Sequence, residues 1–486
     1  MHSKKINFPL VLRYIFIVLV AEGIFMTAAS LYSLFGSPSI LVPMAFSSAI
    51  TLLTGLSGRY FTRKFRHSEP GKRDVTLIVS LGWIVVGIFG TFPYLTTGSI
   101  PNFPDAFFEC VSGITTTGAS ILTDIEVLQP GILLWRSLTH WIGGIGIIVM
   151  VIALLPSTGT GAMHLFSSEA SVVVEERMHS KIRYVARTFG FIYLSLTILE
   201  IVSLTLAGMP LFDSVCHSFG TIATGGFGTK NSSIAGYSPA IHYIIAIFMV
   251  LSGMNFTMHF LSVKGKFRQI WKNEEWRAYV LIIIFVTLFI TLILYLKKDL
   301  PLETAFRNSF FQVSSIITAT GFVTDDYLLW PLYGRILIFL LMLIGASAGS
   351  TGGGVKVIRH VIAFKKIRSM IINPVHSKAV IPIRYNGKTI DGGTVSSVFV
   401  FIIIYYAITA SGMVILMLMG IDRATSLGGV ITCMGGIGPG FGSVGPVYNF
   451  AHLPDGAKFL LSAHMIIGRL EIYPVIILFT RWFWKD

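Results

Sequence analysis

Apolar runs and short polar connections alternate along most of the chain. Leu10 to Leu31, Val75 to Leu95, Tyr279 to Leu296 and Val395 to Leu418 each stay apolar over roughly the 20 residues that an α-helix needs to cross a hydrocarbon layer. A second pattern interrupts the first. Thr- and Gly-rich strings recur at Thr115-Thr116-Thr117-Gly118, Ile222-Ala223-Thr224-Gly225, Thr318-Ala319-Thr320-Gly321 and Gly435-Gly436-Ile437-Gly438. Their last glycines lie about 100 residues apart, which marks an internal repeat.

Copies one and three also match upstream, Asp105-Ala106-Phe107-Phe108-Glu109 against Asn308-Ser309-Phe310-Phe311-Gln312, with Ser112 opposite Ser315 and Ile114 opposite Ile317. Copy two fits from Asp213 with one residue fewer, and copy four is recognisable mainly at its Gly-rich end. Each string follows a helix-compatible stretch of roughly ten to fifteen residues, too short to span. Such a stretch must enter the membrane and return, which is tolerated only where protein or a water-filled cavity encloses it. Four of them about one axis make a pore.

The expected fold is therefore all-α and membrane-integral: four units of outer helix, half-helix with loop, and inner helix, at about 75–157, 181–263, 276–372 and 395–482. Residues 9–62 add two helices outside the repeat. The total is ten spanning helices and four half-helices. As domains this divides the chain into 1–74, 75–180, 181–275, 276–394 and 395–486.

Composition agrees, with 53% hydrophobic and 12% charged residues, about half the charge of a soluble domain. The 37 Lys and Arg against 23 Asp and Glu are placed unevenly. Arg59, Arg63, Lys64, Arg66, Lys72 and Arg73 share one connection; Arg177, Lys181, Arg183 and Arg187 another; Lys264, Lys266, Arg268 and Lys272 a third. A fourth holds Lys356, Arg359, Lys365, Lys366, Arg368, Lys378, Arg384 and Lys388. The intervening connections carry Asp105, Asp124, Glu126, Asp213, Glu303, Asp325, Asp326 and Asp455, so the basic set and both termini are expected in the cytoplasm. Basic residues confined to short inter-span loops do not form a nucleic-acid face. Lys4, Lys5 and Arg13 before the first apolar run suggest a retained helix and no cleaved signal. Cys110, Cys216 and Cys433 are too far apart for a disulfide framework or a CxxC site.

The repeated strings suit a dehydrated monovalent cation such as potassium, which needs several oxygens of moderate field strength and no full negative charge. Backbone carbonyls supply these. Turning consecutive carbonyls to one axis demands backbone angles that glycine accepts, which makes Gly118, Gly225, Gly321 and Gly438 the expected pivots. Half-helix C-termini aimed at the loops add partial negative charge. Any single string could be an ordinary turn; four at similar spacing argue otherwise. Phosphate sites fit poorly: Gly387-Lys388-Thr389 has Pro382 where a P-loop begins with glycine, and Gly436, Gly438 and Gly440 lack a βαβ setting.

On these residues the chain resembles the Trk-type potassium uptake proteins of the TrkH/TrkG group, within the superfamily that includes KtrB and the plant HKT transporters. The resemblance rests on Ser112 to Ser120, Thr221 to Phe227, Ser315 to Phe322, Met434 to Phe441 and the ending Ile467-Gly468-Arg469-Leu470-Glu471-Ile472-Tyr473-Pro474, and it covers nearly the whole length. It implies potassium as the transported ion with no bound organic cofactor, a homodimer in a bacterial inner membrane, and a cytosolic ring of nucleotide-binding subunits similar to TrkA as partner. Superfamily members with serine at the first pivot tend toward sodium, so four glycines favour potassium.

Gly345-Ala346-Ser347-Ala348-Gly349-Ser350-Thr351-Gly352-Gly353-Gly354 interrupts the inner helix of unit three, because each glycine costs about 1 kcal/mol of helix propensity. The break is either a passive kink or, as the resemblance implies, an intramembrane gate that the basic segment Lys356 to Lys388 could couple to a regulator. Arg469, expected near the middle of the last inner helix, must face the bundle interior or the pore. It pairs with Glu471 or a helix-end carbonyl, or it acts with the loop as gate, the role the resemblance gives it. Arg136, His140, Glu200, Asn255 and His259 are read as interhelical hydrogen-bonding groups. A sodium or mixed-cation pathway and a cation symporter stay open as alternatives. A membrane enzyme is disfavoured, since no HExxH, nucleophile with base or carboxylate pair occurs at membrane depth.

Overall fold

The computed structural model describes residues 6–65, 68, 70–154, 178–374 and 382–485. Of the basic residues named above, Lys4, Lys5, Arg66, Arg177 and Lys378 lie outside the described residues, as does the expected end of unit one at 157. Almost every described element is helical; a two-stranded hairpin pairing Arg384 with Thr389 and Tyr385 with Lys388 is the described sheet.

Six described helices are long and apolar enough to cross a membrane: Phe8–Gly36, Pro38–Phe61, Lys72–Thr96, Tyr184–Leu206, Glu274–Lys298 and Gly392–Leu418. Their outward residues, such as Leu206, Ile403 and Leu418, are large, apolar and exposed, which suits a lipid surround. The inner helix of unit one, Pro130–Leu154, has 25 residues, enough for roughly 37 Å at 1.5 Å per residue. The half-helices Phe103–Ile114, Leu211–Ile222, Leu302–Ile317 and Arg423–Gly435 have 12, 12, 16 and 13 residues, and none reaches the ~30 Å of a hydrocarbon core.

The other inner helices are all broken, where the sequence led us to expect a break in unit three alone. Unit two bends by 102° between Pro239–Ser252 and Phe256–Val263, and unit four by 115° between Asp455–Arg469 and Tyr473–Phe479. In unit two, Asn255 caps the second segment by accepting from the Thr257 N–H at 2.8 Å, the arrangement that starts a new helix. In unit four, Glu471 and Ile472 take left-handed φ values of 55° and 69°, unusual above all for a β-branched residue. Arg469 is therefore the last residue of its helix and not a mid-helix residue. Pro474, in the first turn of the next helix, is the local mark of that break, while hydropathy does not record backbone sign.

Outside the repeat, Phe8–Gly36 and Leu41–Phe61 form a close helical hairpin. Gly55 permits the approach: a Cβ there would come within 2.8 Å of Val20 Cγ2 and 3.0 Å of the Phe16 carbonyl oxygen. Gly55→Leu should therefore lower stability by about 1–3 kcal/mol through overpacking, read as a lower melting temperature in detergent, while ion flux per folded molecule stays unchanged. A melting temperature equal to that of the native protein would show that the hairpin contributes little.

Candidate functional site

Each half-helix ends in the same way. An amide just beyond the helix, three residues on in copies one to three and two in copy four, reaches back five positions: Thr117 to the Ser112 carbonyl at 2.8 Å, Gly225 to Gly220 at 2.7 Å, Thr320 to Ser315 at 2.9 Å and Ile437 to Thr432 at 2.9 Å. The residue before that amide is left-handed in every copy, with φ of 54° at Thr116, 55° at Thr224, 58° at Ala319 and 68° at Gly436. This is the Schellman closure of a helix C-terminus, and three of the four residues that make it are not glycine. Left-handed backbone at such positions costs roughly 1–2 kcal/mol each, strain of the kind that functional sites retain.

The residue after it is positive again: Gly118 at 80°, Gly226 at 82°, Gly321 at 83° and Gly438 at 97°. The pivot expected at Gly225 thus falls at Gly226, and copy two reads Ala223-Thr224-Gly225-Gly226. Ile222 stands one step earlier, equivalent to Ile114, Ile317 and Met434. A glycine doublet hid the register, since either glycine completes the same motif.

The pivots interlock in a closed circuit. A Cβ on Gly118 would strike the Gly225 carbonyl oxygen, one on Gly226 the Thr320 oxygen, and one on Gly321 the Ile437 oxygen. One on Gly438 would lie 2.8 Å from the Thr117 oxygen, which returns to the first loop. Four equivalent carbonyls, those of Thr117, Gly225, Thr320 and Ile437, therefore form one ring, and none accepts a hydrogen bond from a described residue. All four pivots line an outer cavity of about 160 Å³. The hydroxyls of Thr117 and Thr320 are engaged by Thr115 at 2.8 Å and Thr318 at 2.7 Å, so the structure gives these threonines a role in fixing the loops.

Beneath the ring lies the glycine-rich interruption of unit three, between helices Leu332–Met342 and Val357–Ile372. Its legs are joined by Gly345 N–H to Val355 O at 2.7 Å and Val357 N–H to Ala346 O at 3.2 Å. The lobe between them presses upward. Thr351 Oγ1 donates to the Ile222 carbonyl at 3.1 Å. A Cβ on Gly352 would lie 2.7 Å from the Thr318 oxygen, and one on Gly353 would meet the Gly435 oxygen. Arg469 joins this lobe, donating to Thr351 O at 2.6 Å and to Gly143 O of the first inner helix at 3.1 Å. Its partners are carbonyls, whereas Glu471 pairs with Arg359. Lys356 donates to the Gly352 carbonyl. Gly349 and Gly354 supply left-handed turns at 68° and 72°.

Comparison with known proteins places the chain in a family. Residues 43–484 match the TrkH family model, described as a cation transport protein. The chain belongs to the TrkH family. It is 37% identical over 425 residues to the Trk system potassium uptake protein TrkH of Salmonella typhimurium, covering 86% of this chain and 87% of that one. It is 35% identical over 491 residues to the protein of that name from Vibrio parahaemolyticus, covering 99% and 100%. The crystal structure of the potassium transporter TrkH from Vibrio parahaemolyticus superimposes with a TM-score of 0.90 at 34% identity, over 99% of this chain and 100% of that one.

Behind the ring, this TrkH-family chain braces its loops with buried polar groups. Glu109 accepts from Arg136 Nε at 2.7 Å, the Ile121 amide at 2.9 Å and Ser120 Oγ at 3.0 Å. Arg136 also donates to Gly228 O at 2.9 Å and lies 3.5 Å over the Phe227 ring, so one ion pair joins loops one and two. His140 does likewise through Gly113 O at 2.7 Å and the Phe227 amide at 3.1 Å. Of the groups read as interhelical, Arg136 and His140 thus support the loops, His259 bonds to Leu251 O at 2.9 Å, and Asn255 caps a helix. Glu109 was visible only as the repeat partner of Gln312, whose amide donates to Asp325 O at 3.1 Å in loop three.

Glu109→Ala leaves Arg136 buried without its carboxylate, a change that costs about 3–5 kcal/mol. The variant should melt several degrees lower and discriminate less between K⁺ and Na⁺ in uptake competition. Native discrimination in a folded variant would show that the pair does not set loop geometry.

Proposed function

We propose that this chain carries potassium into a bacterial cell across its inner membrane, through the ring of loop carbonyls. The ring of four equivalent, unengaged carbonyls closed by the pivot glycines is the observation that carries this reading. Neutral carbonyl oxygens can replace part of a cation's hydration shell without holding it as a carboxylate would. Four half-helix C-termini add partial negative charge at the same place. The membrane potential supplies about 2.3 kcal/mol per unit charge at 100 mV. The names of the relatives, potassium uptake proteins, accord with this ion.

The glycine-rich lobe and Arg469 are the gate in this reading. The lobe lies against the carbonyls of Ile222, Thr318 and Gly435, and the guanidinium adds positive charge to the path of a cation. The basic segment from Lys356 to Lys388 is the surface we assign to a cytosolic nucleotide-binding ring similar to TrkA, with the chain assembled as a homodimer. The four units, with domain limits at 75, 181, 276 and 395, are the framework of this mechanism.

Concentrative ⁸⁶Rb⁺ uptake into K⁺-loaded proteoliposomes should be blocked by external K⁺ and poorly by Na⁺ or Li⁺; equal competition by Na⁺ would replace the potassium reading with a mixed-cation pore. Gly118→Ser, Gly226→Ser, Gly321→Ser and Gly438→Ser should each reduce flux or K⁺ preference by roughly tenfold, the equivalent of ~1.4 kcal/mol. If all four folded variants behave as native, the carbonyl ring is not the path. Deleting Gly349 to Gly353 should raise basal flux, and unchanged flux in a folded variant would reduce the lobe to a kink.

A further inference from the structure

Glu275 has no part in the ring and none in the path, yet its side chain is 1% exposed at the start of the outer helix of unit three. Its Oε1 accepts from the Ala348 amide at 2.7 Å and from the Ile358 amide at 3.1 Å. Ala348 lies in the glycine-rich lobe before Thr351, and Ile358 in the first turn of the helix that follows the lobe. A single oxygen therefore bonds to the chain on both sides of the lobe. Charged acceptors make the stronger class of hydrogen bond, and four of the nine residues between Ala348 and Ile358 are glycine, which accepts a wide range of backbone angles.

The adjacent Glu274 faces the cytosolic side. Its amide donates to Asn386 Oδ1 at 2.8 Å, and its Oε1 accepts from the Asn386 amide at 3.2 Å. It also pairs with Lys365, whose Nζ donates to Arg384 O at 2.7 Å. One helical turn thus grips the lobe with one carboxylate and the hairpin 384–389 with the next.

We propose that Glu275 is the positioning residue that holds the lobe closed beneath the carbonyl ring, and that Glu274 ties this clasp to the cytosolic hairpin. The inference rests on the reading of Gly345 to Gly354 as the gate. Displacement of the hairpin or of helix Val357–Ile372 pulls on the first turn of Glu274–Lys298, and release of either amide from Glu275 removes the charged bond that adds to the backbone bonds Gly345 to Val355 and Val357 to Ala346 in holding the lobe. Neither step requires movement of the ring itself.

The test is ⁸⁶Rb⁺ uptake by the full-length protein in proteoliposomes, with K⁺ and Na⁺ competition, for Glu275→Ala, Glu275→Gln and the Gly349 to Gly353 deletion. Glu275→Ala should raise basal uptake about tenfold, since two hydrogen bonds to a charged acceptor are lost, with unaltered K⁺ preference. Glu275→Gln keeps an acceptor oxygen and should remain near native. Glu275→Ala added to the deletion should give no further rise. Native uptake by Glu275→Ala, when the deletion alone raises uptake, overturns the clasp and leaves the gate reading intact. A deletion without effect overturns both. A changed K⁺ preference in Glu275→Ala also overturns the clasp, because the carboxylate would then be supporting the ring. If Glu275→Ala does not assemble, Glu275→Asp, too short to reach both amides, replaces it with the same outcomes.

Discussion

A helix that stops inside an apolar layer leaves its last carbonyls without intrahelical donors, and no lipid can supply them. That constraint organises the molecule. The five-position back-bonds at Thr117, Gly225, Thr320 and Ile437 engage one carbonyl of each half-helix. The left-handed residue that closes each cap then turns the chain so that the next carbonyl meets the pivot glycine of the neighbouring loop. Closing four helix ends in the same way generates the ring, so the element that completes the half-helices is also the element that meets the ion in the proposed mechanism. Strain at Thr116, Thr224 and Ala319 is held by neighbours, because each loop is in contact with the next and the circuit has no free end.

The supporting groups follow from the same constraint. Glu109, Arg136 and His140 bond to the backbones of loops one and two, which also meet through Asn231 against Asp124 and Ile125. Burying a charged pair is seldom a net gain over apolar packing. Its use here is geometric, since a carboxylate can accept from two amide or hydroxyl donors while its partner donates to a carbonyl, and an apolar core offers neither. Copies three and four achieve the same with uncharged groups: Ser315 Oγ donates to Phe322 O at 2.7 Å and Thr432 Oγ1 to Pro439 O at 3.1 Å.

How far the sequence could be read depends on what each feature is made of. Spans and half-helices were legible because they are matters of length and hydropathy, and the repeat was legible because its glycines recur. The register of copy two was not, because Gly225 and Gly226 are chemically alike and only the sign of φ tells them apart. The break after Arg469 was marked in the sequence by Pro474 alone, since Glu471 and Ile472 carry no mark of left-handed backbone. The partners of Arg469 depend on the folded lobe: of the two the sequence offered, Glu471 or a carbonyl, the structure has carbonyls, those of Thr351 and Gly143. Long-range pairs such as Glu275 with Ala348 and Ile358 leave no local trace at all.

The lobe and the ring also differ in how they treat unpaired carbonyls. In the ring the oxygens of Thr117, Gly225, Thr320 and Ile437 accept no hydrogen bond from a described residue. One layer below, the oxygens of Ile222, Thr351, Gly352 and Gly143 receive the protein's own donors: the Thr351 hydroxyl, the Lys356 ammonium and the Arg469 guanidinium. In the proposed mechanism these built-in cations occupy the electrostatic niche that a permeating cation would need at that depth. Any state in which ions pass must give those carbonyls water or ions in exchange for the protein donors, so the two occupancies compete. A cation bound more strongly to the state with the lobe withdrawn necessarily shifts the population toward that state, by its difference in affinity and no more.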